Sequence, residues 1–118
     1  MNQNATQPQS PEPDPFVEVA TLSDIEPEEP LHVQVQGTPM LLVRVGVEVF
    51  AIGETCTHET ASLESGFVED GCIECPRHGA KFDLRSGAAL TLPATRALPR
   101  YPVRLADGRV FVSPQPKG

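Results

Sequence analysis

Apolar and polar residues alternate over short stretches of this chain, and no stretch keeps the helical repeat over a long run. Residues 31–37, LHVQVQG, place Val33 and Val35 on one face of an extended segment and His32, Gln34 and Gln36 on the other. A further strand is expected from Phe16 to Thr21, followed by a turn around residues 23–24. The pattern predicts a chain built from short β-strands.

Two later stretches have the pattern of β-hairpins. Residues 40–52, MLLVRVGVEVFAI, are expected to form two strands that turn near Gly46. Residues 101–112, YPVRLADGRVFV, contain Asp107-Gly108 at their centre, a pair that suits the positive backbone angles of a type I′ turn. A predominantly antiparallel β fold follows from these hairpins.

The ends of the chain and one internal region depart from the strand pattern. Residues 1–15 hold four prolines among Asn, Gln and Ser, and such a segment cannot offset the entropy cost of ordering, so a disordered tail is expected. One domain is expected over residues 16–113, with residues 114–118 as a C-terminal tail. Residues 53–95, rich in Gly, Pro, Ser and Thr, are expected to form a loop-built insertion that carries the function.

The net charge of -7 arises in the N-terminal part of the chain. Residues 1–29 hold seven acidic residues and no basic residue, and the other nine acids and nine bases cancel. Nucleic acids and anionic membranes would repel such a segment, so neither is expected as a partner. No apolar run reaches the roughly 18 residues of a membrane span, and the N-terminus lacks the pattern of a signal peptide, so a cytoplasmic protein is expected.

Two segments carry residues that can bind a metal. ETCTHET, residues 54–60, contains Cys56 and His58, and ECPRHGAKFD, residues 74–83, contains Cys75 and His78. An odd total of three cysteines fits a disulfide framework poorly, but it suits metal-binding thiolates in a reducing compartment. Thiolates and neutral imidazoles both bind borderline metals, and each short loop offers one of each. Together the two loops supply four ligands.

Two kinds of metal centre could use these ligands. Zinc accepts a tetrahedral site of two cysteines and two histidines, but such modules usually serve domains too small to have a core. A [2Fe-2S] cluster could take both cysteines on one iron and both histidines on the other. The arrangement of one cysteine and one histidine in each loop favours the cluster.

The motif Cys-x-His-x16-Cys-x2-His, carried by CTH and CPRHG, resembles that of Rieske iron-sulfur proteins. The resemblance covers most of residues 16–113 and is greatest to the soluble ferredoxins of bacterial ring-hydroxylating dioxygenases. It implies an all-β fold, with a base of antiparallel β sandwich or barrel and a small loop-built cluster-binding subdomain. It also implies that Cys56 and Cys75 bind the inner iron and that His58 and His78 bind the outer iron.

Four positions depart from the membrane-complex members of this family. Ala61 and Arg77 stand where those proteins have a disulfide across the cluster, and Ala80 and Phe82 stand where they have hydroxyl groups near it. Hydrogen bonds to sulfur stabilise the reduced state, so their absence lowers the reduction potential. A potential toward the lower end of the roughly -150 to +300 mV Rieske range is expected.

Residues near the ligands have structural interpretations. Pro76 and Gly79 are expected to shape a tight turn, and Pro93 stands where the family has a proline loop over the cluster. Cys72 is expected to be a small buried strand residue, and His32 an exposed one. A mixed rim near the two ligand loops is expected to guide docking, and it comprises Arg77, Lys81, Arg85, Glu59 and Glu64.

The resemblance implies a monomeric electron carrier, not an enzyme, with one Rieske-type [2Fe-2S] cluster. It would take one electron from a reductase, expected to be flavin-dependent, and pass it to a terminal aromatic-ring-hydroxylating oxygenase. Alternatives are a Rieske-like small subunit of a nitrite reductase, a zinc-stabilised interaction module and a redox sensor. A non-haem oxygenase centre is excluded, because it needs two further histidines and the chain has only His32 beyond the ligand set.

Overall fold

The computed structural model describes residues 15–57, 61–77, 79–92, 94 and 96–117. Within these ranges the chain forms ten β-strands and a short 3-10 helix at Leu22–Asp24, and no helix there is long and apolar enough to cross a membrane. The strands are β1 Val17–Thr21, β2 Leu31–Val35, β3 Thr38–Val45, β4 Glu48–Gly53, β5 Phe67–Glu69, β6 Cys72–Glu74, β7 Lys81–Asp83, β8 Arg100–Tyr101, β9 Val103–Ala106 and β10 Arg109–Val112.

The strands form three sheets, in which every strand pair is antiparallel. Sheet A has the order β1-β10-β9, sheet B has the order β2-β3-β4-β8, and sheet C has the order β5-β6-β7. Sheets A and B form the base, and sheet C lies within the region of residues 53–95. The prediction of an all-β antiparallel fold is confirmed.

Sheet B is the central layer of the protein. Alternate side chains of a strand point to opposite faces of its sheet, and over residues 40–43 of β3 both sets are fully buried. Met40 and Leu42 pack in a core cluster with Val110 and Val112 of sheet A. Leu41 and Val43 pack in a second cluster, which contains Ile73 and Phe82 of sheet C. The run of four buried residues therefore arises because both faces of the strand are covered.

The hairpin turns match the residues that the sequence places there. Asp107 and Gly108 have φ angles of 52° and 73°, so both have the positive values that a type I′ turn needs. The pairs Gln36-Gly37 and Asp70-Gly71 show the same combination between β2 and β3 and between β5 and β6. The prediction of a hairpin at β9 and β10 is confirmed, and two more hairpin turns have the same pair of positive φ angles.

The subdomain of residues 53–95 contains more regular structure than the predicted loops. Sheet C pairs β5, β6 and β7, and a fourth segment continues it, because Ala89 forms an antiparallel bridge with Phe82. The Leu90 N–H donates to the Lys81 carbonyl at 2.8 Å, in the same register. The ligand loops therefore extend from a small sheet.

Side-chain and backbone contacts join this subdomain to the base. The Arg85 guanidinium donates two hydrogen bonds to the Glu48 carboxylate of β4 and lies 5.3 Å from the ring centroid of Phe50. These hydrogen bonds hold the pKa of Glu48 below its usual value. The Arg100 guanidinium donates to the Arg85 carbonyl at 3.0 Å, so β8 also binds the segment that contains Arg85.

Tyr101 provides a direct test of the base packing. It is the only tyrosine in a chain without tryptophan, and 7% of its surface is exposed. Burial raises the pKa of Tyr101 above its ordinary value of 10.0, because the neutral phenol is favoured in the fold. The resulting stability is fully present below the unfolded pKa and is lost as pH rises through the folded pKa. We expect tyrosinate absorbance to appear at higher pH in the folded protein than in the denaturant-unfolded chain, and coincident titrations would contradict this packing.

Candidate metal centre

Two matching loops place the predicted cysteine ligands. The Cys56 N–H donates to the Ala61 carbonyl at 2.9 Å, and the Cys75 N–H donates to the Ala80 carbonyl at 2.8 Å. Each cysteine therefore begins a loop that closes on an alanine five residues later. The first loop follows β4 and the second joins β6 to β7, so a strand fixes the start of each.

Both cysteines are buried in one apolar cluster. Cys56 is 2% exposed and Cys75 is 1% exposed, and they share the cluster with Ala61, Ala80 and Leu63. None of the three cysteines, all of which lie within the described residues, forms a disulfide bond. A thiolate in such surroundings is costly unless a cation neutralises it, and a bound metal does this. The two cysteines therefore fit a metal or an iron-sulfur cluster held at the junction of the loops.

The predicted histidine ligands, His58 and His78, lie outside the described residues, as do Glu59 and Pro93. The described residues alone contain no group of three or more metal-binding side chains. The residues that flank the histidines are nevertheless placed. Pro76 and Arg77 are exposed in the second loop, and Gly79 has a φ of 76°, with its N–H donating to the Cys75 carbonyl at 3.1 Å.

A hydroxyl group within the first motif ties its loop to a distant segment. The Thr57 hydroxyl donates to the Arg96 carbonyl at 2.7 Å, across 39 positions of sequence. Ala94 and Leu98, on either side of Arg96, are buried in the cluster that contains the two cysteines. The segment after sheet C therefore packs against the first loop.

The positions that lack hydroxyl groups lie close to the second cysteine. Ala80 accepts the hydrogen bond of the Cys75 N–H, and Ala80 and Phe82 are fully buried. Neither side chain can donate to sulfur, so the structural basis for the expected low potential is present.

His32 is less isolated than its sequence position indicates. Its Nε2 lies 3.4 Å from Oε1 of Glu54, and the Ser62 hydroxyl donates to Oε2 of the same carboxylate at 3.2 Å. His32 is half-buried, so the prediction of an exposed residue is wrong. Glu54 and Ser62 stand at the two ends of the first loop, and this network connects them to β2. The sequence signal was the Glu54 carboxylate, which stands two residues before the predicted ligand Cys56.

Two other predictions are corrected by the structure. Cys72 is half-buried, with its sulfur 3.7 Å from the Asp70 carbonyl, because its face of β6 points outward. Arg85 forms an ion pair with Glu48 of the base. Its charge is therefore directed toward the base and not toward the rim of the ligand loops, where it was predicted. Lys81 and Glu64 are exposed, as the rim hypothesis requires.

Comparisons with known proteins agree with this site. The Rieske [2Fe-2S] domain model matches residues 15–102. The ferredoxin component of the naphthalene 1,2-dioxygenase system of Pseudomonas putida is 37% identical over 97 residues, which cover 82% of this chain and 93% of that relative. The ferredoxin of carbazole 1,9a-dioxygenase from Nocardioides aromaticivorans IC177 superposes with a TM-score of 0.83 and 35% identity, over 86% of this chain and 100% of that one.

A third match comes from a complex. A chain in the complex of reduced oxygenase and oxidized ferredoxin in carbazole 1,9a-dioxygenase superposes with a TM-score of 0.83 and 33% identity, over 88% of this chain and 97% of that one. The family model covers most of the described residues, including both cysteine loops. The chain therefore belongs to the Rieske [2Fe-2S] domain family, and its cofactor is a Rieske-type [2Fe-2S] cluster.

Proposed function

We propose that this protein takes one electron from a flavin-dependent reductase and passes it to a terminal aromatic-ring-hydroxylating oxygenase. The observation that carries the proposal is the pair of matching loops, each with a buried cysteine, in a chain similar to dioxygenase ferredoxins. The relatives are electron-transfer components, and this chain likewise is a carrier and not an enzyme.

We propose Cys56, His58, Cys75 and His78 as the cluster ligands, with the cysteines on the inner iron and the histidines on the outer iron. The burial of both cysteines and the spacing of all four residues support this assignment. The bound cluster supplies a centre that holds one electron and is easier to reduce than an all-cysteine cluster, because imidazoles replace two thiolates.

The chain itself has three tasks in this function. The apolar cluster around the cysteines keeps water from their sulfur atoms. The hydrogen bonds of the Cys56 and Cys75 N–H groups close each loop on an alanine carbonyl, so each cysteine is held at the start of its own loop. The exposed Pro76 and Arg77 directly precede the proposed ligand His78 in the second loop, where a partner can approach. Electron exchange would then occur through the surface at the histidines.

We further propose that residues 16–113 form the functional domain and that the protein acts as a monomer in the cytoplasm. The odd count of three cysteines, which suits metal-binding thiolates, supports a reducing compartment. The proposed disordered tail of residues 1–15 lies almost wholly outside the described residues. In the proposed C-terminal tail, residues 114–118, the Lys117 N–H donates to the Arg100 carbonyl at 2.8 Å.

The test is electron paramagnetic resonance of the dithionite-reduced protein, with iron and acid-labile sulfide counted in the same sample. We expect a rhombic signal with an average g value below that of all-cysteine clusters, together with the metal and sulfide content of one [2Fe-2S] cluster per chain. A colourless protein that contains zinc would overturn the electron-transfer proposal. A stable complex with a sirohaem protein would instead identify a nitrite reductase subunit.

A further inference from the structure

The outward side of sheet C is an ordered array of side chains. The strand register places Phe67, Glu74 and Lys81 in one row, and Leu90 extends that row, because its N–H pairs with the Lys81 carbonyl. A second row contains Glu69, Cys72 and Asp83. We refer to these seven residues as the outer face of sheet C.

Two large apolar side chains on this face are mostly exposed to solvent. Phe67 is 65% exposed and Leu90 is 51% exposed, at opposite ends of the first row. The residues that alternate with them, Val68, Ile73 and Ala89, pack in the core cluster beneath the sheet. Exposed aromatic residues are enriched at protein interfaces. The inward side of sheet C is therefore covered by the core, and its outward side exposes apolar surface to solvent.

A pocket opens on the outer face beside Phe67. Its volume is about 230 Å³, and it is lined by Phe67, Glu69, Asp70, Cys72, Glu74 and Lys81. Ligand pockets usually measure roughly 300–1,000 Å³, so this one suits a single side chain better than a cofactor. Three carboxylates and one ammonium group line it. A lysine or arginine side chain of another protein could pack its alkyl part against the Phe67 ring. Its positive charge would then lie near the carboxylates of the pocket.

The outer face adjoins the second ligand loop. Glu74 directly precedes Cys75, and Lys81 directly follows Ala80, so the first row borders the loop on both strands. Four neighbouring segments at about 4.8 Å spacing give this row a width of roughly 14 Å. A protein that covers the loop would therefore also overlie Phe67 and Leu90.

We propose that the outer face of sheet C is a docking surface for the terminal oxygenase and that its pocket receives a lysine or arginine side chain of that partner. This inference rests on the proposed electron-transfer function. The partner surface would carry basic groups beside an apolar area, complementary to the acidic pocket and to Phe67 and Leu90. Attraction between these charges accelerates association at low ionic strength.

The experiment measures the second-order rate constant for electron transfer from the reduced protein to a purified oxygenase that the wild-type protein reduces. Phe67→Ala tests the apolar contact and Glu69→Lys tests the charge. Val47→Ala is the matched apolar control, because Val47 is 83% exposed in the turn between β3 and β4. Glu26→Lys, at an exposed acid of the base, is the charge control. The reduction potential of every variant is measured as well.

We expect Phe67→Ala to lower the rate constant about tenfold, as the loss of an interface hot spot does. Glu69→Lys should lower it at low salt and weaken its dependence on ionic strength. The controls should stay within about twofold of the wild type, since both residues lie in the base and outside the outer face of sheet C. All potentials should be unchanged. Equal rate constants in test variants and controls would overturn the docking surface, and so would slower transfer explained by a shifted potential.

Reduction of the same variants by the reductase separates the two partners. An effect on the reductase step alone would overturn the assignment to the oxygenase. If the wild-type protein contains no cluster, or reduces no oxygenase, the proposed function itself fails. That result is distinguishable from failure of the docking surface, because the latter requires a wild-type protein that transfers electrons normally.

Discussion

Replacing Cys75 with serine is expected to abolish the [2Fe-2S] cluster, whereas the same replacement at Cys72 is expected to leave it intact. The two residues are three positions apart, and their sequence alone resembles a dithiol pair. The structure separates them. Cys75 is 1% exposed and lies in the apolar core cluster that also contains Cys56, whereas Cys72 lies on the outer face of sheet C. A serine hydroxyl is a harder and weaker ligand than a thiolate, so iron should not be retained.

The measurement is the iron and acid-labile sulfide content of each variant, with circular dichroism to establish that the chain is folded. The iron and sulfide content of Cys75→Ser should fall from that of one [2Fe-2S] cluster per chain to nearly none. The content of Cys72→Ser should match that of the wild type. Loss of iron from folded Cys72→Ser, or full iron in Cys75→Ser, would refute the ligand assignment. Cys56→Ser should behave as Cys75→Ser does, since the two cysteines begin matching loops.

Replacing Gly87 with alanine is expected to destabilise the protein by about 2–5 kcal/mol. The φ angle of Gly87 is 77°, a conformation that costs a residue with a Cβ roughly 1–2 kcal/mol. An added Cβ would also lie 2.5 Å from the Leu98 carbonyl oxygen and 3.1 Å from Cγ of Arg100. The Leu98 N–H donates to Gly87 at 2.8 Å, so the backbone cannot move away without losing that bond.

Gly71→Ala provides the matched control, because Gly71 has a φ of 75° and no atom within 4 Å of an added Cβ. The free energy of unfolding of this variant should fall only by the cost of the positive φ angle, about 1–2 kcal/mol. Denaturant unfolding of the two variants gives the difference. The melting temperature of Gly87→Ala should fall by at least about 10 °C. Equal stabilities for the two variants would show that the contact of Gly87 with Leu98 and Arg100 is not tight.

The fold was predictable wherever local sequence specifies local structure. Asp107-Gly108 identified a hairpin, and Asp70-Gly71 carries the same signal for β5 and β6, so part of sheet C was available from the sequence. The candidate ligands were found from spacing, because one cysteine and one histidine per loop is a specific arrangement. The Thr57 and Arg96 contact was not predictable, since it joins segments 39 positions apart through a backbone carbonyl.

Two of the three corrected predictions, those for Cys72 and His32, have a common physical cause. Alternation along a strand tells which residues share a face, but the tertiary packing decides which face is covered. Cys72 shares its face with Glu74, and the charge of Glu74 favours the outward direction. His32 was assigned to solvent from its own strand, but it contacts Glu54 beyond the end of β4, and only the sheet order brings these residues together.

The two-sided burial of β3 limits how this protein could be divided or recombined. Met40 and Leu42 belong to the packing of the base, and Leu41 and Val43 belong to the packing beneath the ligand loops. A cut between base and subdomain would therefore leave one side of the strand bare, whichever part retained it. The cluster-binding region is not a transplantable module, and a graft onto another scaffold would have to bring its supporting strand with it.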